Sequence, residues 1–335
     1  MNQYRDADAR ASLDARLLWQ PAGSADLDNW AELIARTAAV ERPVWFERRA
    51  DLAQILDSKN NAAAANTILG VDSVGVARAY SRITKSRSGD KAVGFGCVDP
   101  AWQGQGIGTG LLGWLEQRTR ERFAGDAVSG EPGPAPRLRL CMEQQHTHQA
   151  ALFDNSGYRI VRYYNEMHRP LDAGVPEAAL DEGLELVAFG PELHEPVRLA
   201  HNDVFRDHWG SEPRDEEAWG FVVNDPQMRP DLSAVVIERS SGTVAGYQLA
   251  SHDAEGADAR GFREGYTDLL GVRREFRGRG IAQALLADAM SRFAAAGMDK
   301  ASLDVDSENP TGALALYTKM GYVAVNHSMA WDKEL

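Results

Sequence analysis

The residues with the clearest chemical meaning are two glycines set among arginines, Arg277-Gly278-Arg279-Gly280, followed by Ile281-Ala282. Glu264 to Val272 reads as a strand, Arg273 to Phe276 as a turn, and Ile281 to Ala294 as a helix. A glycine loop between strand and helix can aim successive backbone N–H groups at one point, where the helix N-terminus also favours negative charge. A pyrophosphate fits such a cradle. The same syntax occurs once more, in Gln103-Gly104-Gln105-Gly106-Ile107-Gly108. Neither loop has the Gly-x-x-x-x-Gly-Lys-Ser/Thr of a P-loop or the Gly-x-Gly-x-x-Gly of a dinucleotide fold, so those two chemistries are excluded.

The elements that must position these loops also come in pairs. Gly157-Tyr158 matches Gly321-Tyr322, at a slightly shorter offset than the loops, and the Gly/Pro-rich stretch from Gly125 to Pro134 accounts for the difference. The chain reads as two copies of one domain, residues 1–172 and 181–335, with the boundary between Leu171 and Glu182. Each copy opens with a strand (Ala15 to Trp19; Leu184 to Ala188) and a helical region (Asp26 to Ala38; Pro191 to Phe205). In the second copy, Ala234 to Arg239 and Val244 to Ser251 flank a hairpin turn at Ser240-Ser241-Gly242. After the loop and its helix come a strand (Arg137 to Met142; Lys300 to Val305) and a helix (Gln149 to Asn155; Gly312 to Met320). A terminal strand closes each copy (Tyr158 to His168; Tyr322 to Trp331). Alternating and buried strands mixed with helices imply an α/β domain, or α+β with a mixed sheet.

At 335 residues with 44% hydrophobic and 25% charged residues, the composition is globular and allows two domains. A net charge of −13 argues against a nucleic-acid surface. Two cysteines, Cys97 and Cys141, make no disulfide framework or metal spacing, and the polar N-terminus lacks a signal-peptide core. No apolar run is long enough to span a membrane. A soluble cytoplasmic protein is expected. His146 and His148 have no partners at metal-ligand spacing, so no metal is expected.

Both loops read Gln/Arg-x-x-Gly-x-Gly/Ala, and the second copy continues with Asn309-Pro310-Thr311-Gly312-Ala313-Leu314-Ala315-Leu316-Tyr317-Thr318-Lys319-Met320-Gly321-Tyr322. Loop and downstream segment together resemble the GNAT acetyltransferase superfamily. The resemblance implies two tandem GNAT domains that use acetyl-CoA as co-substrate, with a small-molecule amine as acceptor. It places the diphosphate on the amides of Gly278 to Ala282, with charge-assisted contacts from Arg277 or Arg279. Glycine at 278 and 280 would let the backbone approach closely. Leu270 and Val272 would pair with the pantetheine arm like an added strand, and Asn309 could contact the cofactor or cap the next helix. In the first copy the corresponding expectation covers Val98, Gln103, Gly104, Gln105, Gly106, Ile107, Gly108 and Thr109.

The family's motif places a general acid at Tyr317, whose phenol, with an ordinary pKa of about 10, stays protonated until a thiolate leaves. On an alternating strand Glu264, Tyr266, Asp268 and Leu270 share one face, which makes Asp268 the first candidate base and Glu264 the second. The first copy has Phe153 where the second has Tyr317, Gln145 for Asn309 and Gly94 for Asp268, so it is expected not to catalyse. A tandem protein with one competent half resembles mycothiol synthase and its bacterial relatives, which adds a cysteinyl amino-sugar as an alternative acceptor. A CoA-binding sensor or assembly module without turnover is the rival from another class. His208-Trp209 could line an acceptor pocket. Oligomeric state is not legible.

Overall fold

The computed structural model describes residues 13–87, 89–126, 135–309 and 311–335. Of the expected Gly/Pro-rich stretch, residues 127–134 lie outside the described residues, as does Pro310. Two compact units form: one runs to Arg162 and adds Ser328–Leu335, and the other is Tyr163–His327.

In the first unit, strands β1 (Leu18–Gln20), β2 (Thr67–Val71), β3 (Ala77–Thr84) and β4 (Ala92–Val98) pair antiparallel in sequence order. β5 (Arg137–Glu143) joins β4 in parallel. In the second, β7 (Leu184–Ala188), β8 (Ala234–Glu238), β9 (Val244–Ser251) and β10 (Glu264–Val272) repeat the antiparallel series. β11 (Lys300–Asp306) joins β10 in parallel. The duplication read from the sequence is therefore a duplicated sheet.

The terminal strands differ from the expected arrangement. β6 (Arg159–Pro170) leaves the first copy to pair antiparallel with β11. β12 (Val323–Glu334) leaves the second copy to pair antiparallel with β5. Each unit is completed by the other copy's last strand, so the compact units divide elsewhere than at 171–182. Side chains fix the choice. Asp332 on β12 receives both nitrogens of buried Arg139, at 2.7 and 2.8 Å, a bidentate pair. Lys333 reaches Glu116 at 2.6 Å, and Trp331 enters the first unit's core. On β6, Met167 enters the second unit's core and buried Arg169 donates to the carbonyl of Met320 at 2.8 Å.

Helices cover the sheets. In the first unit α1 (Leu27–Glu41) buries Trp30 and Leu33, while α2 (Ile107–Asp126) buries Leu111, Trp114 and Leu115. α3 (Thr147–Asn155) buries Phe153. In the second unit α4 (His194–Val204) and α5 (Glu216–Val223) cover one face, where Val197 and Trp219 pack with Val235, Tyr247 and Leu249. α6 (Ile281–Ala295) and α7 (Ala313–Lys319) cover the other, with Leu286, Met290, Phe293 and Tyr317 against Leu303 and Val305. Burial on both faces explains why β9 is buried at all but its last position. Among the described residues no helix is long and apolar enough to cross a membrane.

Candidate functional site

The loop between β10 and α6 is built by two left-handed glycines, Gly278 at φ +78° and Gly280 at φ +74°. A Cβ would meet nothing within 4 Å at Gly278 and only contacts of 3.8 Å or more at Gly280. Within the protein, then, conformation demands glycine here, where the sequence suggested close approach. The first bond that closes α6 runs from the Ala284 N–H to the Gly280 carbonyl at 3.0 Å. The amides ahead of it are the uncommitted first-turn donors at the positive end of the helix dipole. Ile281 is buried, so what it can offer a ligand is its backbone.

The loop at the start of α2 has the same form. Gly104 and Gly106 stand at φ +71° and +85°, and Gly110 closes onto the Gly106 carbonyl at 3.2 Å. Gln103 Nε2 donates to the Val98 carbonyl at 3.2 Å, as Arg277 Nε donates to the Val272 carbonyl at 3.2 Å. The expected phosphate ligand Arg277 thus has the same tethering bond as a neutral glutamine, and only its other nitrogens remain for an anion. Arg279 is engaged too, by Asp181 at 2.9 Å, and Gln105 accepts from Arg16 at 2.6 Å. Beside the second loop, Asp203, Arg206, Asp207, Arg274, Glu275 and Arg277 line a pocket of 190 Å³. Arg273 reaches Asp203 at 3.2 Å, and Arg274 pairs with Asp207.

β10 pairs with β11 only from Glu264↔Lys300 to Thr267↔Leu303. Among the described residues it has β9 alone beside it from Asp268 to Val272, so one edge is free of a ladder partner. At the point of divergence the β9–β10 register slips: Thr267 faces Ala250, Leu269 faces Leu249, and Asp268 is left over as a bulge. The slip corrects the expected shared face. Leu269 packs with Tyr247 and Trp219 under α4 and α5, whereas Leu270 packs under α6. Leu270 has been turned away from the side that an unbroken alternation assigns it.

Asp268 accepts from Ser251 Oγ at 3.0 Å and is exposed at one side. The surrounding protein still desolvates it, and nearby Asp225 adds negative charge. Together they push its carboxyl up to about 7, although Ser251 and Arg214 oppose the rise. Glu264 is placed differently. It is buried, accepts from Ser302 Oγ at 2.5 Å, and lies 3.3 Å from Arg260 and 3.7 Å from His168. Donor atoms of Glu264, Glu166 and His168 lie within 4.8 Å of one another, but Arg260 already brings a cation to that cluster. Glu264 is held as a structural acceptor and leaves Asp268 the freer carboxylate.

Tyr317 is buried on α7, its ring 6.0 Å from that of Tyr322. Among the described residues its hydroxyl has no hydrogen-bond partner, and burial pushes its pKa up to about 12. It shares a hydrophobic cluster with Leu270 from the free-edged part of β10. No hydrogen bond joins it to Asp268 or Glu264. Phe153 fills the equivalent place in the first unit, 5.9 Å from Tyr158 and 6.0 Å from Trp331. Asn309 is not the cap of α7, a position taken by Gly312 at φ +76°. Its side chain instead accepts from Thr311 at 2.9 and 2.6 Å and lies 3.4 Å from His208 Nε2. Ser251, Asp225 and Arg214 around Asp268 were missed in the sequence, where no local pattern links them to β10.

The family model described as acetyltransferase (GNAT) family matches residues 195–322. A mycothiol acetyltransferase from Salinispora arenicola is 30% identical over 267 residues, 74% of this chain and 75% of that protein. Another from Streptomyces coelicolor is 26% identical over 240 residues, 71% of this chain and 70% of that protein. Among solved structures, a GCN5-related N-acetyltransferase from Sphaerobacter thermophilus superposes with a TM-score of 0.72 at 25% identity, covering 96% of both chains. A tandem GNAT protein from the clavulanic acid biosynthesis pathway superposes at 0.68 with 15% identity, covering 95% of this chain and 98% of that one.

Proposed function

The chain belongs to the GNAT acetyltransferase family, and from that premise we propose that its second unit moves an acetyl group from acetyl-CoA to a primary amine of a small molecule by direct attack. The free amides from Gly278 to Ala282 hold the diphosphate, and the unpaired edge of β10 receives the pantetheine arm as an extra strand. Asp268 takes the proton of the attacking ammonium, through water. Its pKa near 7 suits a base that must be ionised yet still basic at neutral pH. The amine nitrogen bonds to the thioester carbon, the C–S bond breaks, Tyr317 gives its proton to the departing thiolate, and the second proton shed by the nitrogen as it becomes an amide returns the phenolate to phenol. Burial keeps that phenol protonated. The observation that carries the reading is the free edge of β10, which runs from the bulge at Asp268 to the glycine loop and carries Leu270 against Tyr317.

Release of free thiol from acetyl-CoA, followed across a panel of primary amines, tests this. Amine-dependent release is expected, and a protein that binds acetyl-CoA but releases thiol with none of them would instead be the non-catalytic binding module. A second reading narrows the acceptor to a cysteinyl amino-sugar, supported by the relatives named mycothiol acetyltransferase.

A further inference from the structure

Arg214 sits just ahead of α5, and its main chain is fixed to α4. Its N–H donates to Asn202 Oδ1 at 2.8 Å, and its carbonyl accepts from Asn202 Nδ2 at 3.0 Å and from Arg198 Nη1 at 2.9 Å. Arg198 is in turn held by Glu195 at 2.6 and 2.7 Å. The guanidinium is treated quite differently. Among the described residues it makes no hydrogen bond and no ion pair, although it is half-buried. The helix it precedes, α5, packs Trp219 with Tyr247 and with Leu269, the residue after the bulge of β10, and from there the charge of Arg214 acts on Asp268, Tyr247 and His201. A guanidinium carries five N–H donors, and withdrawing them from water without a partner is costly.

The neighbours do not meet that need. Asp268 is bonded to Ser251. Tyr247 is bonded to His201 at 2.8 Å. His201 is kept neutral, its pKa pushed down to about 3 by burial and then by Arg214. Arg214 is thus a cation held in place by its backbone on the side of β10 where α4 and α5 pack, and among the described residues no group pairs with its fork.

We propose that Arg214 is the anchor for a carboxylate on the acceptor, so that the enzyme takes amines carrying a carboxylate near the reacting nitrogen, such as amino acids. This rests on the acetyl-transfer reading above. The planar fork matches a carboxylate in bidentate fashion, while Asp268 receives the ammonium of the same zwitterion. A phosphate fits less well, because two negative charges would then lie beside Asp268 and Asp225.

The test uses matched triplets, each an amino acid, its carboxamide and its decarboxylated amine, built on leucine, phenylalanine, lysine and glutamate. Wild-type protein is expected to favour at least one free acid over its two partners by about 10- to 100-fold in kcat/KM, the worth of one charge-assisted hydrogen-bonded pair. Arg214→Gln should collapse that ratio towards unity, chiefly through KM, and Arg214→Lys should restore part of it. Equal rates on acid and amide in the wild type, or a preference for the amide as a cysteinyl amide acceptor would show, would overturn the anchor and leave acetyl transfer standing. If no amine is turned over, the transfer reading itself fails. Calorimetric binding of the same triplets to CoA-loaded wild-type and Arg214→Gln protein then decides the anchor by the same ratio.

Discussion

Two strands hold equivalent places, β4 in the first unit and β10 in the second, and they differ by one residue. Both pair antiparallel with the strand before them, run parallel to the next for a few residues, and lead into a loop with two left-handed glycines. β4 keeps register without a slip from Val98↔Ala79 to Val93↔Thr84. β10 covers the same stretch with an extra residue, Asp268. Gly94 lies opposite Leu140 as Thr267 lies opposite Leu303, so the true counterpart of Gly94 is Thr267. Counting back from the loop pairs Gly94 with Asp268 instead, and the structure corrects that pairing. The first unit has no position for the carboxylate, and a Cβ on Gly94 would come within 2.7 Å of Leu140. One inserted residue supplies the candidate base and turns Leu270 to the opposite face. The units thus differ in backbone as well as in the Tyr317/Phe153 exchange.

The largest effect is expected from that exchange. Tyr317→Phe should lower kcat by about 10²- to 10³-fold, within the usual worth of a general acid, with little change in stability. Phe153→Tyr should leave turnover unchanged, because no bulge or carboxylate accompanies it. Steady-state kinetics on both variants decide the matter; undiminished activity in Tyr317→Phe would remove the acid from the scheme and with it half of the asymmetry.

Next in size is Asp268→Asn, expected to cut kcat/KM by about 10²-fold. In the wild type kcat/KM should rise with pH through about 7 as the carboxyl ionises, and the variant should lose that limb. Stability should move the other way. The folded pKa lies above the ordinary carboxyl value of 3.8, so the fold favours the protonated form. The stability this contributes is fully present below about 4 and is lost as pH rises towards 7. A carboxamide at this position never ionises, so the variant should melt higher than the wild type at pH 8 and lose that advantage by about pH 4. A melting point at pH 8 lower than the wild type's would show that Asp268 holds the bulge together, and its role as base would then have to be judged by kinetics alone.

What could be read from the sequence was local. The glycine loops, the hairpin at Ser240-Ser241-Gly242 and the repeat itself follow from short patterns, and the structure reproduces them closely. The bulge has no such signature, since one added residue in Glu264–Val272 leaves every residue type consistent with a strand. The exchange of β6 and β12 was hidden for a symmetrical reason: two similar copies present similar sheets, and only partners such as Arg139 with Asp332 decide which strand goes where. Arg214 was missed because what marks it, a guanidinium with no partner among the described residues, arises only on folding, with nothing marked nearby in the chain.

The smallest effect separates the two loops, whose backbones are nearly identical. Gly280→Ala and Gly106→Ala each place a side chain at positive φ, +74° and +85°, where room for the Cβ exists but the conformation costs about 1–2 kcal/mol. Both should therefore lower the melting temperature by similar amounts. Their kinetics should differ. Relaxing Gly280 re-aims the amides ahead of α6, so the KM for acetyl-CoA should rise by about 10-fold, as expected from losing about one backbone contact to a phosphate. Gly106→Ala should leave kcat/KM unchanged, because the first unit has neither a bulge carboxylate on the strand before its loop nor a tyrosine in place of Phe153 after it. If Gly106→Ala depresses turnover as well, the first loop takes part in the reaction, and the difference between the units lies in what each binds.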